Sequence, residues 1–580
     1  MTVTQIDVLI VGAGPVGLFA AANFLKLDYS VRIVDIEFEP NHWGRGDWVH
    51  GRTLEILEQF GFAQDLLASG AKPTKVINYK HGVQKAYIPF VPDSESTYHK
   101  YVCCVGQHIT ESILQNFIAQ NDVNVERPVT VSSFEIQDEA SNSHPVIATL
   151  QNMSTGESEI VQCKYLLGCD GAHSDIRKKL EFAFQGETTE LHSGVLDAKI
   201  KTNFPTTKEI CDSGCVSLTP RENGLTRIFV HFQPDQRDPY NRNKIQLEEI
   251  LKEAKRAFLP FRIEFLGVLW WTVYVVGQRV VEHMQHSSNH IFLCGDSCHS
   301  HSPTLGQGLN TGLGDVFNLV WKIHMAEQKL APRSILDTYE QERRPVAQEV
   351  INIDKEVAEL AQSGVPRNHP NTDTEKDFLH AISKHQLFNT GFGISYPVNI
   401  LNDEGTSKAV TDAPTIVLSG HRAPDSKMIR IADGKKVRLF DAWSDKDAVC
   451  RFKVAVFAGD LAVNAETVEA FYKHLEFPES FLHKYTANDE QSRLLFVVLA
   501  VTTSNQTSVV AHPSYAAITS YPLFVDKLNN AQCHQVYGVD VHKGTIVVVR
   551  PDGYIAYATD LLNFLSIDDY FERVLLPRSL

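Results

Sequence analysis

Three glycines in Gly12-Ala13-Gly14-Pro15-Val16-Gly17 follow the apolar run 6–11 and open a stretch of helical composition, 18–27. In that setting Gly12 permits a tight turn, Gly14 lets the backbone approach a pyrophosphate, and Gly17 allows helix and strand to pack closely, with Pro15 inside the same loop. The anion would rest on the helix N-terminus, where free amide groups and the helix dipole favour negative charge. Asp35, eighteen residues after Gly17 and ending a second apolar run, can accept hydrogen bonds from ribose hydroxyls. The pattern calls for a dinucleotide and does not by itself separate NAD from FAD. Metal chemistry has no comparable support. No C-x-x-C occurs, Cys103 and Cys104 are adjacent, and Cys211/Cys215 and Cys294/Cys298 are each spaced by three residues. His299 and His301 have no carboxylate at a useful spacing, so no metal is expected.

The elements that must position these residues follow from the hydrophobic patterning. Residues 6–11, 31–35, 164–169 and 290–295 read as short buried parallel strands, the last two running into Asp-Gly or Gly-Asp turns. Between them, 190–285 alternates apolar and polar residues like a half-solvated antiparallel sheet, with Trp270 and Trp271 read as core packing. A long helical stretch covers about 310–360. Residues 362–411, rich in Pro, Asn, Asp, Gly and Thr, read as a linker, and strand-like runs at 453–457, 494–501 and 545–549 mark a further unit. The expected organisation is α/β: a Rossmann-like domain in two parts (1–190 and 286–361), a β-rich substrate domain inserted at 191–285, the linker, and a C-terminal domain at 412–580.

Composition limits the function classes. The chain of 580 residues is 43% hydrophobic and 21% charged, which excludes a disordered or fibrous protein. A formal charge of −16 argues against nonspecific binding to nucleic acid or anionic membranes. The longest apolar run, 8–27, is broken by Gly12, Gly14, Pro15 and Gly17 and has no basic region before it, so it is neither a signal peptide nor a membrane span. Sparse cysteines point to a reducing, cytoplasmic setting.

Two later segments carry a family resemblance. Cys169-Asp170-Gly171-Ala172-His173-Ser174-Asp175-Ile176-Arg177 resembles the D-G-x-x-S-x-x-R segment of FAD-dependent aromatic hydroxylases, the class A flavoprotein monooxygenases. Gly295-Asp296-Ser297-Cys298-His299, with Pro303-Thr304-Leu305-Gly306-Gln307-Gly308-Leu309-Asn310, resembles their G-D-x-x-H and P-x-x-G-Q-G-x-N segments. The loop 44–55 (G-R-G-D-W-V-H-G-R-T-L-E) and the segments 220–224 and 274–279 are similar to the phenol 2-monooxygenase-like subfamily. The weaker similarity through 421–425 and 549–553 implies that subfamily's thioredoxin-like C-terminal domain, without redox cysteines.

The resemblance implies FAD as cofactor, held by Gly12, Gly14, Pro15, Gly17, Asp35, Arg45, Gln107, Asp170, Asp296, Pro303 and residues 306–310 (Gly306, Gln307, Gly308, Leu309, Asn310). It further implies NADPH or NADH and O₂ as cosubstrates, a homodimer, and hydroxylation of a phenolic ring through a flavin hydroperoxide. Asp296 would bind a ribityl hydroxyl, and the amides of the 306–310 turn would stabilise charge on reduced flavin. A phenolate is a far better nucleophile than a phenol of pKa about 10, so Asp47 is the candidate base. Arg221 would steady a substrate anion or the flavin edge, and Arg177 with Lys178 and Lys179 would reach NADPH phosphates. Phe229 stands where the subfamily has a tyrosine, so Tyr274, His231, His50 and Tyr101 are candidate replacements around the substrate pocket. Oxidative decarboxylation of a hydroxybenzoate is a second outcome of the same chemistry. The alternatives are a flavin monooxygenase acting on a polyketide-type ring or an alkene, and a flavin-binding sensor that has lost catalysis.

Overall fold

The computed structural model describes residues 4–80, 82–138, 142–212, 216–232, 245–303, 305–363, 380–403, 419–443, 450–486, 495–526 and 531–577. Much of the expected linker therefore lies outside the described residues. The chain forms two compact units. One comprises Met1–Pro92, His99–Phe317 and Arg344–Gly393; the other comprises Asp93–Tyr98, Asn318–Arg343 and Ile394–Leu580.

In the first unit, strand Thr4–Val11 lies inside a seven-stranded sheet. Val8, Leu9 and Ile10 are fully buried, which is why the strand reads as a continuous apolar run. It pairs in parallel with Val31–Val34 on one side and Ser158–Gly168 on the other, and Ile291–Leu293 joins beyond in parallel. The register sets Val11 beside Val34 and Gly168, and Gly168 beside Leu293. All four strands thus end together, and the Gly12 loop, Asp35, Asp170 and Asp296 emerge at one edge. That edge, at the carboxyl ends of parallel strands, is where open α/β sheets bind ligands. Gly12 has φ +101°, and a Cβ there would lie 2.3 Å from the Cys169 carbonyl oxygen. A Cβ at Gly17 would lie 1.9 Å from the Gly12 carbonyl oxygen, so the following helix Pro15–Leu25 reaches its strand only with glycine at this position.

The second sheet of this unit has eight strands, dominated by the antiparallel pair Phe184–Thr202 and Ile263–Val281. Alternation divides its faces. Leu196, Ala198, Ile228, Val230 and Val273 pack with Ile250 and Ala254 of helix Leu247–Ala257. The opposite face carries Ser193, Val195 and Asp197 beside His231, Phe229 and Arg227. Lys75–Lys80, Val83–Pro89 and His299–Ser300, all outside 190–285, complete the sheet. Trp271 departs from its expected place in the core: it shares the Leu196 face, yet it is 37% exposed where its strand forms the edge of the sheet, which gains an outer partner only at Arg279 and Val280. Trp270 itself sits against Gly44, where a Cβ would lie 2.4 Å from its ring.

The second unit holds a seven-stranded sheet. Leu523–Val525, Phe496–Thr502 and Phe452–Gly459 run parallel, followed by the antiparallel hairpin Thr545–Val549 and Ile555–Asp560. This is a thioredoxin-like α/β arrangement without C-x-x-C. The 549–553 segment has a structural explanation: Arg550 is fully buried and forked between Glu342 and Asp552, with Lys322 Nζ 2.7 Å from Glu342. Among the described residues, no helix is long and apolar enough to cross a membrane.

Candidate active site

Among the residues expected to hold a cofactor, the Gly12 loop, Asp35, Asp170 and Asp296 lie at this sheet edge. Gly14 caps helix Pro15–Leu25 with no side-chain hydrogen bond, and a Cβ built on it meets nothing within 4 Å. Open space at an uncapped helix N-terminus fits a pyrophosphate. Asp35 Oδ2 accepts the Ala13 N–H at 2.6 Å, while Oδ1 accepts the Glu37 N–H at 2.9 Å and pairs with Arg127 at 2.9 Å, so the carboxylate also holds the glycine loop. Asp170 Oδ2 accepts the Asp175 and Ile176 N–H groups, its Oδ1 is buried without a partner, and burial pushes its carboxyl pKa up. Arg177 is not placed as a phosphate ligand. It is buried, donates to the carbonyls of Ser297 and Ala172, and lies over Phe184.

Asp296 is exposed, with Oδ1 3.6 Å from where a Gly308 Cβ would stand. Its turn is fixed by Asp315, which accepts the Gly295 N–H at 3.0 Å and lies 2.8 Å from His299 Nε2. Asp315 is thus the carboxylate partner of His299 that sequence spacing did not reveal, sixteen residues on. Gly306, at φ +62°, passes Trp48 so closely that a Cβ would lie 2.9 Å from that side chain. Helix Gln307–Glu327 starts immediately after it. Asn310 donates to the carbonyls of Gly306 (2.6 Å) and Trp48 (2.8 Å) and accepts the His50 N–H at 2.9 Å, fastening the 44–55 loop to this turn. Leu309 packs where a Gly46 Cβ would stand, and Gln307 donates to the Asn389 carbonyl. Gln107 accepts the Gly46 N–H at 3.0 Å and donates to Glu111, whose pKa burial raises to about 7. Arg45 is exposed, at φ +60°.

Asp47 and Arg221 come together in a buried charge cluster that also contains Arg227, Asp197 and Glu222. Asp47 lies 3.4 Å from Arg227 and 3.6 Å from Arg221. Arg227 forks onto Asp197 with two bonds of 2.8 Å and donates to the Arg45 carbonyl. Arg221 forks onto Glu222 with two bonds of 2.8 Å. Burial pushes the Asp47 carboxyl above the usual carboxylate range, against the pull of Arg227 and Arg221, and Asp47 Oδ2 has no hydrogen-bond partner. Tyr274 belongs to the same neighbourhood; burial raises its pKa against the pull of Arg227 and Arg45. Removing Arg227 strands two buried carboxylates. Arg227→Met is therefore expected to lower unfolding stability by about 3–5 kcal/mol in chemical denaturation, and a loss below about 1 kcal/mol would show that the pair does not hold the site.

Phe229, two residues from Arg227 on the same strand face, lines a cavity together with Trp48, His50, Asn78, His231 and Leu305 among others. Phe229 and His231 are where sequence reasoning expected a pocket, and Pro303 joins them. Tyr274, Asp47, Arg221 and Tyr101 are not among its described lining residues. His231 Nδ1 is 2.9 Å from Ser193 Oγ, and burial lowers the pKa of both His231 and His50 to about 4. Because unfolded histidine titrates near 6.5, the unfolded chain gains a proton at His50 that the folded chain refuses between about pH 6.5 and 4. Stability is lost as pH falls through that window, by up to about 3 kcal/mol for His50. In thermal melts at a series of pH values, His50→Phe is expected to flatten the decline; an unchanged slope would contradict burial of a neutral imidazole.

Sequence reasoning missed Arg227, Asp197 and Glu222. The signal available for two of them was an acid and a base on adjacent alternating strands: Asp197 and Arg227 are direct cross-strand partners. Trp48 and Asn78 carried no spacing signal.

Comparison with known proteins agrees with this geometry. The FAD binding domain family matches residues 5–354, and the phenol hydroxylase C-terminal dimerisation domain matches residues 394–579. A phenol 2-monooxygenase of Aspergillus fumigatus is 29% identical, covering 98% of this chain and 96% of the relative. A 3-hydroxybenzoate 4-monooxygenase of Comamonas testosteroni is 28% identical, covering 98% and 94%. Two solved structures share the fold: the flavin-dependent monooxygenase PieE (18% identity, TM-score 0.72, 98% of each chain) and aklavinone-11 hydroxylase (17%, 0.71, 99% of each). The chain belongs to the FAD binding domain family, as a class A flavoprotein hydroxylase: an FAD-dependent aromatic monooxygenase.

Proposed function

We propose that the protein hydroxylates a phenolic ring beside its existing hydroxyl, consuming O₂ and NAD(P)H, in the cytoplasm and as a homodimer. The observation that carries this reading is an apolar cavity lined by Trp48 and Phe229, the neighbours of the buried pair Asp47 and Arg227, with burial raising the Asp47 pKa toward that of a proton acceptor. When bound, FAD supplies the electrons and the activated oxygen. Gly12, Gly14 and Gly17 admit its pyrophosphate, and Asp35 and Asp170 sit at the same sheet edge. Asp296 would bind a ribityl hydroxyl, and the amides of the 306–310 turn would hold the flavin edge. Asp47, which does not line the cavity, draws the substrate proton through water, while Arg221 and Arg227 hold the carboxylate in place. In this reading 1–190 and 286–361 form the FAD-binding domain, 191–285 the substrate insert and 412–580 the C-terminal domain.

The names of the relatives and the match to a dimerisation domain support the phenolic substrate and the dimer. The test is stoichiometry: with a productive phenol, NADPH consumed should match hydroxylated product. NADPH oxidation yielding only hydrogen peroxide with every phenol and fused-ring phenol tried would refute the reading. Phe229→Tyr, which adds a hydroxyl to the cavity wall, is expected to change the ratio of kcat/KM between two phenols by about 3- to 10-fold without affecting folding. Equal ratios would remove Phe229 from substrate contact.

A further inference from the structure

The cavity's polar atoms divide into two groups. Several already have partners: Gln386 donates to the Pro89 carbonyl, His231 bonds to Ser193, and the Asn389 carbonyl accepts from Gln307. Three are fully buried and have none. His50 Nδ1, Asn78 Oδ1 and Trp48 Nε1 are buried and unpartnered, on residues that all line the cavity. His50 is 3% exposed and Asn78 6%.

The role of His50 Nδ1 follows from its neighbours. Its other ring nitrogen, Nε2, is 3.1 Å from the Leu305 carbonyl oxygen. A carbonyl can only accept, so Nε2 carries the hydrogen and Nδ1 presents a lone pair. The ring is held in place by the Leu305 contact, by Asn310 on its backbone N–H, and by the Trp48 ring 6.2 Å away. Two buried acceptors and one neutral donor therefore border the space, and no described lining residue carries a charge. An acceptor left dry in a cavity is destabilised until a ligand O–H reaches it. A carboxylate entering here would lose its water, meet no cation, and face the lone pairs of His50 and Asn78.

Building on the ring-hydroxylating reading above, we propose that the substrate is an uncharged, hydroxyl-bearing aromatic that binds as the neutral phenol, donating its O–H to His50 Nδ1, and that carboxylated rings are excluded. This sets the chain apart from a relative named for 3-hydroxybenzoate. Arg221, expected to meet a substrate anion, is already forked onto Glu222.

The test uses FAD-loaded protein and reads binding as perturbation of the flavin spectrum, independently of turnover. The probes are 3-methylphenol and 2-naphthol, their methyl ethers, and 3-hydroxybenzoate and 6-hydroxy-2-naphthoate, at pH 7.5. At least one phenol should bind tenfold or more tightly than both its ether and its carboxylated counterpart. His50→Phe should abolish the preference for phenol over ether while leaving binding of the ether within about threefold. Equal or tighter binding of a carboxylate, an ether that matches its phenol in the wild type, a preference that survives in His50→Phe, or no binding by either phenol overturns the proposal. A protein that shows the expected binding pattern but hydroxylates none of the probes leaves this inference standing and counts against the reaction instead.

Discussion

Asp47→Asn is expected to lower kcat/KM for a phenol about 10²- to 10⁴-fold at pH 7, with the protein still folded and yellow. The charge cluster gives the reason for both halves of that statement. It holds one carboxylate more than it has guanidinium groups. Arg227 is satisfied by Asp197 and Arg221 by Glu222, both with bonds of 2.8 Å, whereas Asp47 stands at 3.4–3.6 Å with one oxygen unbonded. Asp47 is thus the member the fold can lose.

The linkage sign supports this. Burial raises the folded pKa of Asp47 above its unfolded value, so the stability it contributes is present at low pH and is lost as pH rises through the folded pKa. At pH 7 the neutral asparagine should give a melting temperature equal to or above that of the wild type. The activity deficit should shrink toward pH 10, where a phenol ionises unaided. Stopped-flow rates and melts at matched pH would check both. A variant as active as the wild type at pH 7 would remove Asp47 from proton transfer, and one that fails to fold would make it a structural ion.

Gly14→Val should yield a folded, colourless protein. Its Cβ meets nothing within 4 Å, so the chain tolerates the side chain, but the added atoms fill the space above the helix N-terminus that a pyrophosphate needs. FAD affinity should fall at least about 100-fold, the loss of several charge-assisted amide contacts. Gly12→Val is the contrast: φ +101° and a 2.3 Å approach to the Cys169 carbonyl should cost the fold itself. Flavin titration with circular dichroism distinguishes them. Full flavin occupancy in Gly14→Val would move the pyrophosphate elsewhere.

Legibility in the sequence tracked the locality of the physics. The Gly12 loop, Asp35 and the 295–310 segment could be read because strand, turn and helix are contiguous and a parallel strand buried on both faces is a plain apolar run. The antiparallel sheet showed through its alternation. Asp47 was visible only through resemblance, since an acid in a loop has no period. Asp197 and Arg227 were not read because their partnership is a register between strands thirty residues apart. The cavity drew residues from around 48, 76–90, 210–231, 303–305 and 382–390, which only tertiary packing brings together. Trp271 went wrong because composition places a tryptophan inside, whereas this one, although on the helix-covered face beside Leu196, sits where its strand is the edge of the sheet and stays 37% exposed.

The central claim is oxygen transfer from flavin to a ring in the cavity lined by His50 and Phe229. It is tested most directly by a single turnover: FAD-loaded protein reduced anaerobically without NADPH, given 2-naphthol, and exposed to ¹⁸O₂. The account predicts a hydroxylated product carrying one ¹⁸O per flavin reoxidised. Flavin reoxidation that leaves the naphthol unchanged, or a product oxygen drawn from water, would contradict it.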